Sequence, residues 1–237
     1  MRLKRYIAIA CGAALIAAVP AVPAQAGTLQ VNPVLVQIDA GRRSATVTVR
    51  NEEATPVTIR AYALNWRQVD GEDRYEASSA VIVSPPIFTI APGGTQLIRV
   101  GLRTPSGAPQ AYRLMIEEVP QAHPGGGVRV ALRLNLPLYS GIEAGDAANL
   151  GWSARRDGDG GLIVEAVNNG RGYVRLDPAA VQAATGISFD GNMNFGTVLP
   201  GATRRWRIAQ MPQVRDQARF RQISGAGDHV AAQTGSQ

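Results

Sequence analysis

The chain has 237 residues, 45% hydrophobic and 18% charged, with 26 glycines and 15 prolines, a composition that suits one or two globular domains and excludes a mainly disordered chain. Arg2, Lys4 and Arg5 fall in a leader segment; without them 21 basic residues face 18 acidic ones, and a charge of +3 is no nucleic-acid signature. The single cysteine, Cys11, lies in the same segment, and neither His123 nor His229 shows metal-ligand spacing, so thiol, metal and Ser-His-Asp chemistry all lack raw material. No cofactor is expected, and the chain does not read as an enzyme.

The leader comes first. Arg2 to Arg5 form a basic start, residues 6–19 an almost unbroken apolar run, and Ala24-Gln25-Ala26 a small-x-small cleavage signal. This reads as a secretory signal peptide over residues 1–26. The run is short of the ~20 apolar residues of a membrane span, and no later segment approaches that length, so no membrane insertion is expected. Residues 27–237 contain no lysine. Arginine is then the only permanent cation of the secreted chain.

From Gly27 onward, β-branched alternating runs are separated by turn residues, and no stretch of 12 residues carries a 3.6-residue apolar period. The fold class is all-β. Strands are expected over 28–37, 44–51, 57–66, 87–90, 95–102, 111–118 and 128–139, punctuated by Asp39-Ala40-Gly41, Asp70-Gly71 and Ala91-Pro92-Gly93-Gly94. Seven strands in about 115 residues match an immunoglobulin-like sandwich. A polar stretch from Ser140 to Asn149 precedes a second series over 150–155, 161–168, 172–177, 186–189, 195–198 and 203–210. The expected division is a first domain over 27–143, a second β-sandwich over 144–223 and a frayed tail over 224–237.

Val128, Val130, Leu132, Leu134, Leu136 and Leu138 alternate with Arg129, Ala131, Arg133, Asn135 and Pro137, directly after the loop His123-Pro124-Gly125-Gly126-Gly127. It is the longest strict alternation in the chain. One reading is a half-buried antiparallel strand with its apolar row inward. The other is an edge strand that lends this row to another protein, with main-chain hydrogen bonds supplying affinity and alternate side chains filling pockets.

Other chemistry-bearing residues read as structural. Trp66, Trp152 and Trp206, one per strand, suit sandwich cores better than an aromatic ligand platform. Glu117 and Glu118, adjacent on a strand, face opposite sides and make no paired-acid site. Asp157-Gly158-Asp159-Gly160-Gly161 looks like a hairpin turn, because the later bidentate glutamate of a calcium loop is missing.

Several passages, in order, resemble the periplasmic pilus (fimbrial) chaperone family. Val31-Asn32-Pro33 with Val36 resembles its first strand, and Val47-Thr48-Val49-Arg50-Asn51 with Pro56 its second strand and turn; Trp66 stands where a tryptophan typically follows. Ser84-Pro85-Pro86-Ile87-Phe88, Ile90-Ala91-Pro92-Gly93 and Gln96 to Val100 form the passage most like the family, and Ala111 to Pro120 resembles the segment before its variable loop. Later, Leu162 to Gly170 and Leu199-Pro200-Gly201-Ala202-Thr203-Arg204-Arg205-Trp206 match its second-domain patterns. The resemblance implies two immunoglobulin-like domains in a boomerang-like arrangement and a periplasmic location. It implies pilin-like subunits as partners, held by donor-strand complementation through Val128, Val130, Leu132, Leu134 and Leu136, and handed to an outer-membrane usher for pilus assembly. Self-association of the free protein would hide such a row.

One departure stands out. The best-known members hold the subunit's terminal carboxylate with an arginine on the first strand and a lysine near the end of the donor strand; Val31 to Ile38 holds no arginine here, and lysine is absent. Among Arg133, Arg113 and Arg99 as candidates for a replacement anchor, Arg133 is the expected one, with Asn135 two residues on; Arg99 and Arg113 read as surface or interdomain arginines. The departure suggests an archaic or spore-coat-like branch. A secreted two-domain adhesive or carbohydrate-binding module remains the alternative reading.

Overall fold

A computed structural model describes residues 29–105, 107–120, 130–159, 161–187 and 193–208. The expected leader, the tail and Val128 lie outside these residues. Two β domains are built from fifteen strands and one short helix among the described residues. In the first domain, β1 (Leu29–Asn32), β3 (Ser44–Asn51), β8 (Thr95–Leu102) and β6 (Val81–Ser84) form one sheet in the order β1-β3-β8-β6. The facing sheet runs β2-β10-β9-β4-β5, with β2 (Val36–Ile38), β10 (Arg133–Ser140), β9 (Gln110–Glu118), β4 (Val57–Val69) and β5 (Glu72–Ala77). β7 (Ile87–Ile90) pairs with the start of β4.

Alternation explains the layers. Val47 and Val49 of β3, Ile59 and Ala61 of β4, Ile98 and Val100 of β8, and Leu114 and Ile116 of β9 meet in one buried cluster. Asn51 closes the end of β3: fully buried, it donates from Nδ2 to the carbonyls of Thr55 and Ile90 at 2.8 and 3.2 Å and accepts from the Glu53 amide at 2.9 Å.

The single strand expected over 28–37 is two. β1 pairs antiparallel with β3, whereas β2 pairs parallel with β10 in the other sheet, so the chain changes layer around Pro33. Proline there offers no amide to either ladder. Apolar alternation runs through both pieces and hides the break. β5 lies outside the expected strands for the opposite reason, and β6, the short run Val81-Ile82-Val83-Ser84, is a strand by its pairing with β8. The sequence Glu72-Asp73-Arg74-Tyr75-Glu76-Ala77 has no apolar face, and only its pairing with Leu64 to Val69 makes it a strand.

The second domain holds a three-stranded sheet of β11 (Leu150–Arg156), β12 (Leu162–Asn168) and β15 (Thr203–Ile208), and a pair of β13 (Val174–Leu176) and β14 (Gly196–Val198). Between β13 and β14 lies the helix α1 (Pro178–Thr185). Asp177 caps it, accepting the Ala180 amide at 2.7 Å, and Gly186 ends it with φ of 71°. The strand expected at 186–189 is therefore replaced at its start by a helix cap. Eight residues are too few for a helical period to have signalled α1. Phe195 packs edge-on to Trp206 with ring centres 5.2 Å apart, while Trp66 stands apart from both sandwich cores in a cluster with Tyr139, Ile142 and Leu199. The Asp157 turn joins β11 to β12, and Arg207 binds Asp157 and Asp159 at 2.8 and 2.7 Å.

Candidate functional site

The long alternating row is divided. Val130 is 75% exposed, Leu132 and Leu134 are half-buried, and Leu136 and Leu138 are 8% and 0% exposed inside the first domain's core. Leu136, expected to be free for a partner, is therefore spent on its own sandwich, and Leu134 leans against the same cluster. The reason is topological: β9 runs beside β10 over its whole length and seats the row opposite Leu114 and Ile116. Strict alternation has the same form whether the apolar row meets its own core or a partner's.

One edge of β10 stays open. β2 pairs with it only at Leu138, Tyr139 and Ser140, so among the described residues no strand flanks Arg133 to Pro137 on that side. On the other side, Leu132 continues the ladder by accepting the Glu118 amide at 2.9 Å. An open strand edge presents unpaired amides and carbonyls to any incoming extended segment.

On the outer face of this sheet a single carboxylate gathers three partners. Glu117 accepts from Arg60 Nη2 at 2.6 Å, from the Tyr62 hydroxyl at 2.7 Å and from Arg133 Nε. The register explains the cluster, since Arg60, Glu117 and Arg133 stand side by side on β4, β9 and β10. Arg133, expected as a carboxylate anchor, is thus tied to an acid of its own chain and straps the start of β10 to the sheet; the rest of its side chain is 65% exposed. Desolvation works against the charged form of Glu117, yet hydrogen bonds from Arg60, Tyr62 and Arg133 outweigh it and hold the carboxyl below the usual range.

A depressed carboxyl value contributes stability above the unfolded value, and the contribution is lost as pH falls through the folded one. The difference in thermal stability between the unsubstituted chain and Glu117→Gln is accordingly expected to be largest above about pH 5 and to shrink toward about pH 3. A difference independent of pH in unfolding scans would show that the strap acts through shape alone.

Farther along the same face, the outer residues of β10 turn toward the second domain. Asn135, Pro137 and Tyr139 line a cleft of about 1590 Å³ with Arg113 of β9 and Arg175 and Arg204 of the second domain. A space of this size exceeds the roughly 300–1,000 Å³ of small-molecule pockets and suits an extended chain. Asn135 therefore does stand at the cleft, whereas Arg133 is not among its lining residues. Arg113, which sequence reasoning set behind Arg133 as a surface or interdomain arginine, is the cation that β9 brings to the cleft. Its guanidinium lies 3.6 Å over the Trp66 ring, and its buried Nε has no hydrogen-bond partner among the described residues. Its register opposite Pro137 could have signalled this, because a cation two residues from Asn135 in the cross-strand pattern shares its face. Tyr139 stacks on Tyr173 with centres 3.7 Å apart, and burial pushes its hydroxyl well above the ordinary tyrosine range.

An alternating strand open on one edge thus lies beside a cleft between two immunoglobulin-like domains. Residues 28–140 match the family described as pili and flagellar-assembly chaperone, PapD N-terminal domain. The chain belongs to the pilus chaperone family. This pilus chaperone is similar to CsuC, solved in the CsuC-CsuE chaperone-tip adhesion subunit pre-assembly complex from archaic chaperone-usher Csu pili of Acinetobacter baumannii. The two are 27% identical, with a TM-score of 0.65 over 78% of this chain and 88% of that one. SafB of Salmonella enterica, solved with the SafA pilin, has 18% identity and a TM-score of 0.56 over 78% and 85% of the chains. DraB of E. coli has 14% and 0.50 over 77% and 86%. The last two speak for the fold alone. Among curated proteins no sequence matches this pilus chaperone. The chemistry it displays is that of a chaperone: apolar side chains, an open backbone edge and a cation.

Proposed function

We propose that this chaperone captures pilin-like subunits in the periplasm by donor-strand complementation at the open edge of β10 and delivers them to an outer-membrane usher. The observation that carries the reading is the combination of an edge from Arg133 to Pro137 that no described strand flanks with an exposed Val130 and a half-buried Leu132. Val128, two positions earlier in the sequence's alternation, is counted with the donor segment in this reading. Leu134 and Leu136 anchor that segment from inside the first domain. The relative solved with a tip adhesion subunit supports the partner class, and the 27% identity with CsuC favours the archaic branch. We place the leader cleavage after Ala26 and the domain division near residue 143.

Three aliphatic side chains entering a subunit groove contribute about 5 to 9 kcal/mol gross. Association costs of ~4 to 15 kcal/mol consume most of that. Strand donation by Val128, Val130 and Leu132 therefore needs the backbone edge and an ionic contact as well. Arg113 supplies the contact in this reading: with Asn135 beside it in the cleft, it receives the subunit's terminal carboxylate, for which a guanidinium is a bidentate partner. An edge with uncovered apolar residues also invites pairing between free copies, so the unliganded chaperone self-associates.

The test is co-expression with a pilin-like subunit followed by isolation from the periplasm. A one-to-one complex, with amides of 130–136 protected from hydrogen exchange relative to the free protein, is expected; a subunit that folds and remains soluble without this chain defeats the proposal. Arg113→Ala is expected to weaken the complex by about 2 to 5 kcal/mol, with Arg113→Lys recovering part of it. Arg133→Ala should change it little. Calorimetric titration checks the order, and equal losses for the two alanine variants would remove Arg113 from its assigned place.

A further inference from the structure

The tip of the β4–β5 hairpin belongs to the first domain, yet its contacts lie on the second. Asp70 and Gly71 form the tip, both with positive φ (55° and 83°), the conformation that a two-residue Asp-Gly turn adopts between twisted strands. The Gly71 carbonyl accepts the Arg205 amide of β15 at 3.1 Å. A Cβ built on Gly71 would stand 2.4 Å from the Arg205 Cβ, so the two backbones touch with no room for a side chain.

Two residues behind the tip, Gln68 reads the backbone of the second domain with both ends of its amide. Its Nε2 donates to the Thr197 carbonyl at 2.7 Å, and its Oε1 accepts the Leu199 amide at 3.0 Å. Asp73, on the returning strand, holds Gln68 in that pose. It accepts from Gln68 Nε2 at 2.9 Å and from Trp66 Nε1 at 2.8 Å, and it pairs with Arg204 of β15 at 3.0 Å. Trp66 is in turn the platform on which Arg113 lies. One hairpin thus touches the second domain at three backbone positions and, through Asp73 and Trp66, the cation of the cleft.

We propose that the β4–β5 hairpin is a fixed spacer between the domains, with Gln68 and Gly71 as positioning residues that set the cleft for an incoming subunit terminus. The inference rests on the chaperone reading for the identity of that terminus. A spacer bonded to backbone presets the clamp, so the partner meets a formed cleft and does not have to close one, and the ordering cost of capture is lower. A clamp correctly set in only about a tenth of the molecules binds about tenfold more weakly.

Residues 27–237 lack cysteine, so spin labels at Thr46→Cys on β3 and Ser153→Cys on β11 report the distance between domains without background. Pulsed electron paramagnetic resonance is expected to give one narrow distribution for the unsubstituted chaperone. In Gly71→Ala and in Gln68→Ala it should broaden or shift, with affinity for the pilin-like subunit about tenfold lower. Gly93→Ala is the control, because Gly93 also has positive φ, 65°, but nothing within 4 Å of a Cβ; it carries similar backbone strain without the interdomain clash. Unchanged distributions in both hairpin variants overturn the spacer, and so do broadened distributions with unchanged affinity. If the unsubstituted protein captures no subunit, the chaperone reading fails by itself, and the distances still decide whether the hairpin fixes the domains.

Discussion

Val130→Asp is expected to abolish subunit capture while leaving the chain's own unfolding within about 0.5 kcal/mol of the parent, the usual range for a surface change. The residue is 75% exposed and touches no core cluster among the described residues, so its carboxylate is free in solution and desolvated only when a groove closes over it. The same substitution at Leu136 has the opposite signature. Leu136 is 8% exposed and packs in the first domain's core, and even alanine there should cost about 2 to 5 kcal/mol; aspartate should leave no folded first domain. Thermal unfolding and subunit pull-down on the two variants separate the halves of one alternating row. Capture retained by Val130→Asp would sink donation through this segment. A stable Leu136→Asp chain would mean that β10 does not complete its own sandwich.

The second large effect belongs to a residue that does not itself line the cleft. Asn168, fully buried at the end of β12, donates from Nδ2 to the Gly172 carbonyl at 2.8 Å, while its Oδ1 accepts the amides of Asn149 and Gly170, each at 3.0 Å. It joins the segment before β11 to the loop before β13. Asn168→Ala strands two amides and a carbonyl, at about 1 to 3 kcal/mol for each buried group left unpaired. A loss of about 3 kcal/mol or more follows, lowering the unfolding temperature of the second domain by roughly 10 to 20 °C. Calorimetry should resolve it, and a loss below about 1 kcal/mol would mean that water replaces the amide. Asn51 has the corresponding place in the first domain, at the end of β3, with the same pattern of backbone partners.

Much of the architecture was legible because it depends on period and punctuation. The strands at 44–51, 87–90 and 95–102 have their expected bounds, since each is a β-branched run closed by a turn, and both buried asparagines fall within motifs that carried the family resemblance. Where the pattern had no apolar face, as in β5, or ran across a change of layer, as from β1 to β2, local sequence was blind to the outcome.

The candidate site divides in the same way. Sequence by itself marked Val128 to Leu138 as an alternating apolar row with Arg133 out of phase with it, and left arginine as the permanent cation of residues 27–237. Only the tertiary structure decided how those features are used. The register with β9 gives Leu136 and Leu138 to the domain's own core, and the same register puts Arg133 beside Glu117, so that its charge is answered within the sheet. Arg113 and the Gln68–Gly71 hairpin, unremarkable as isolated residues, gain their meaning from the second domain's position against β4, β5 and β9. The physical reason is range. Alternation and turn chemistry act between residues a few positions apart, whereas the partner of a strand edge, an exposed apolar residue or a guanidinium is chosen by segments up to about 130 positions away, as for Gln68 and Leu199.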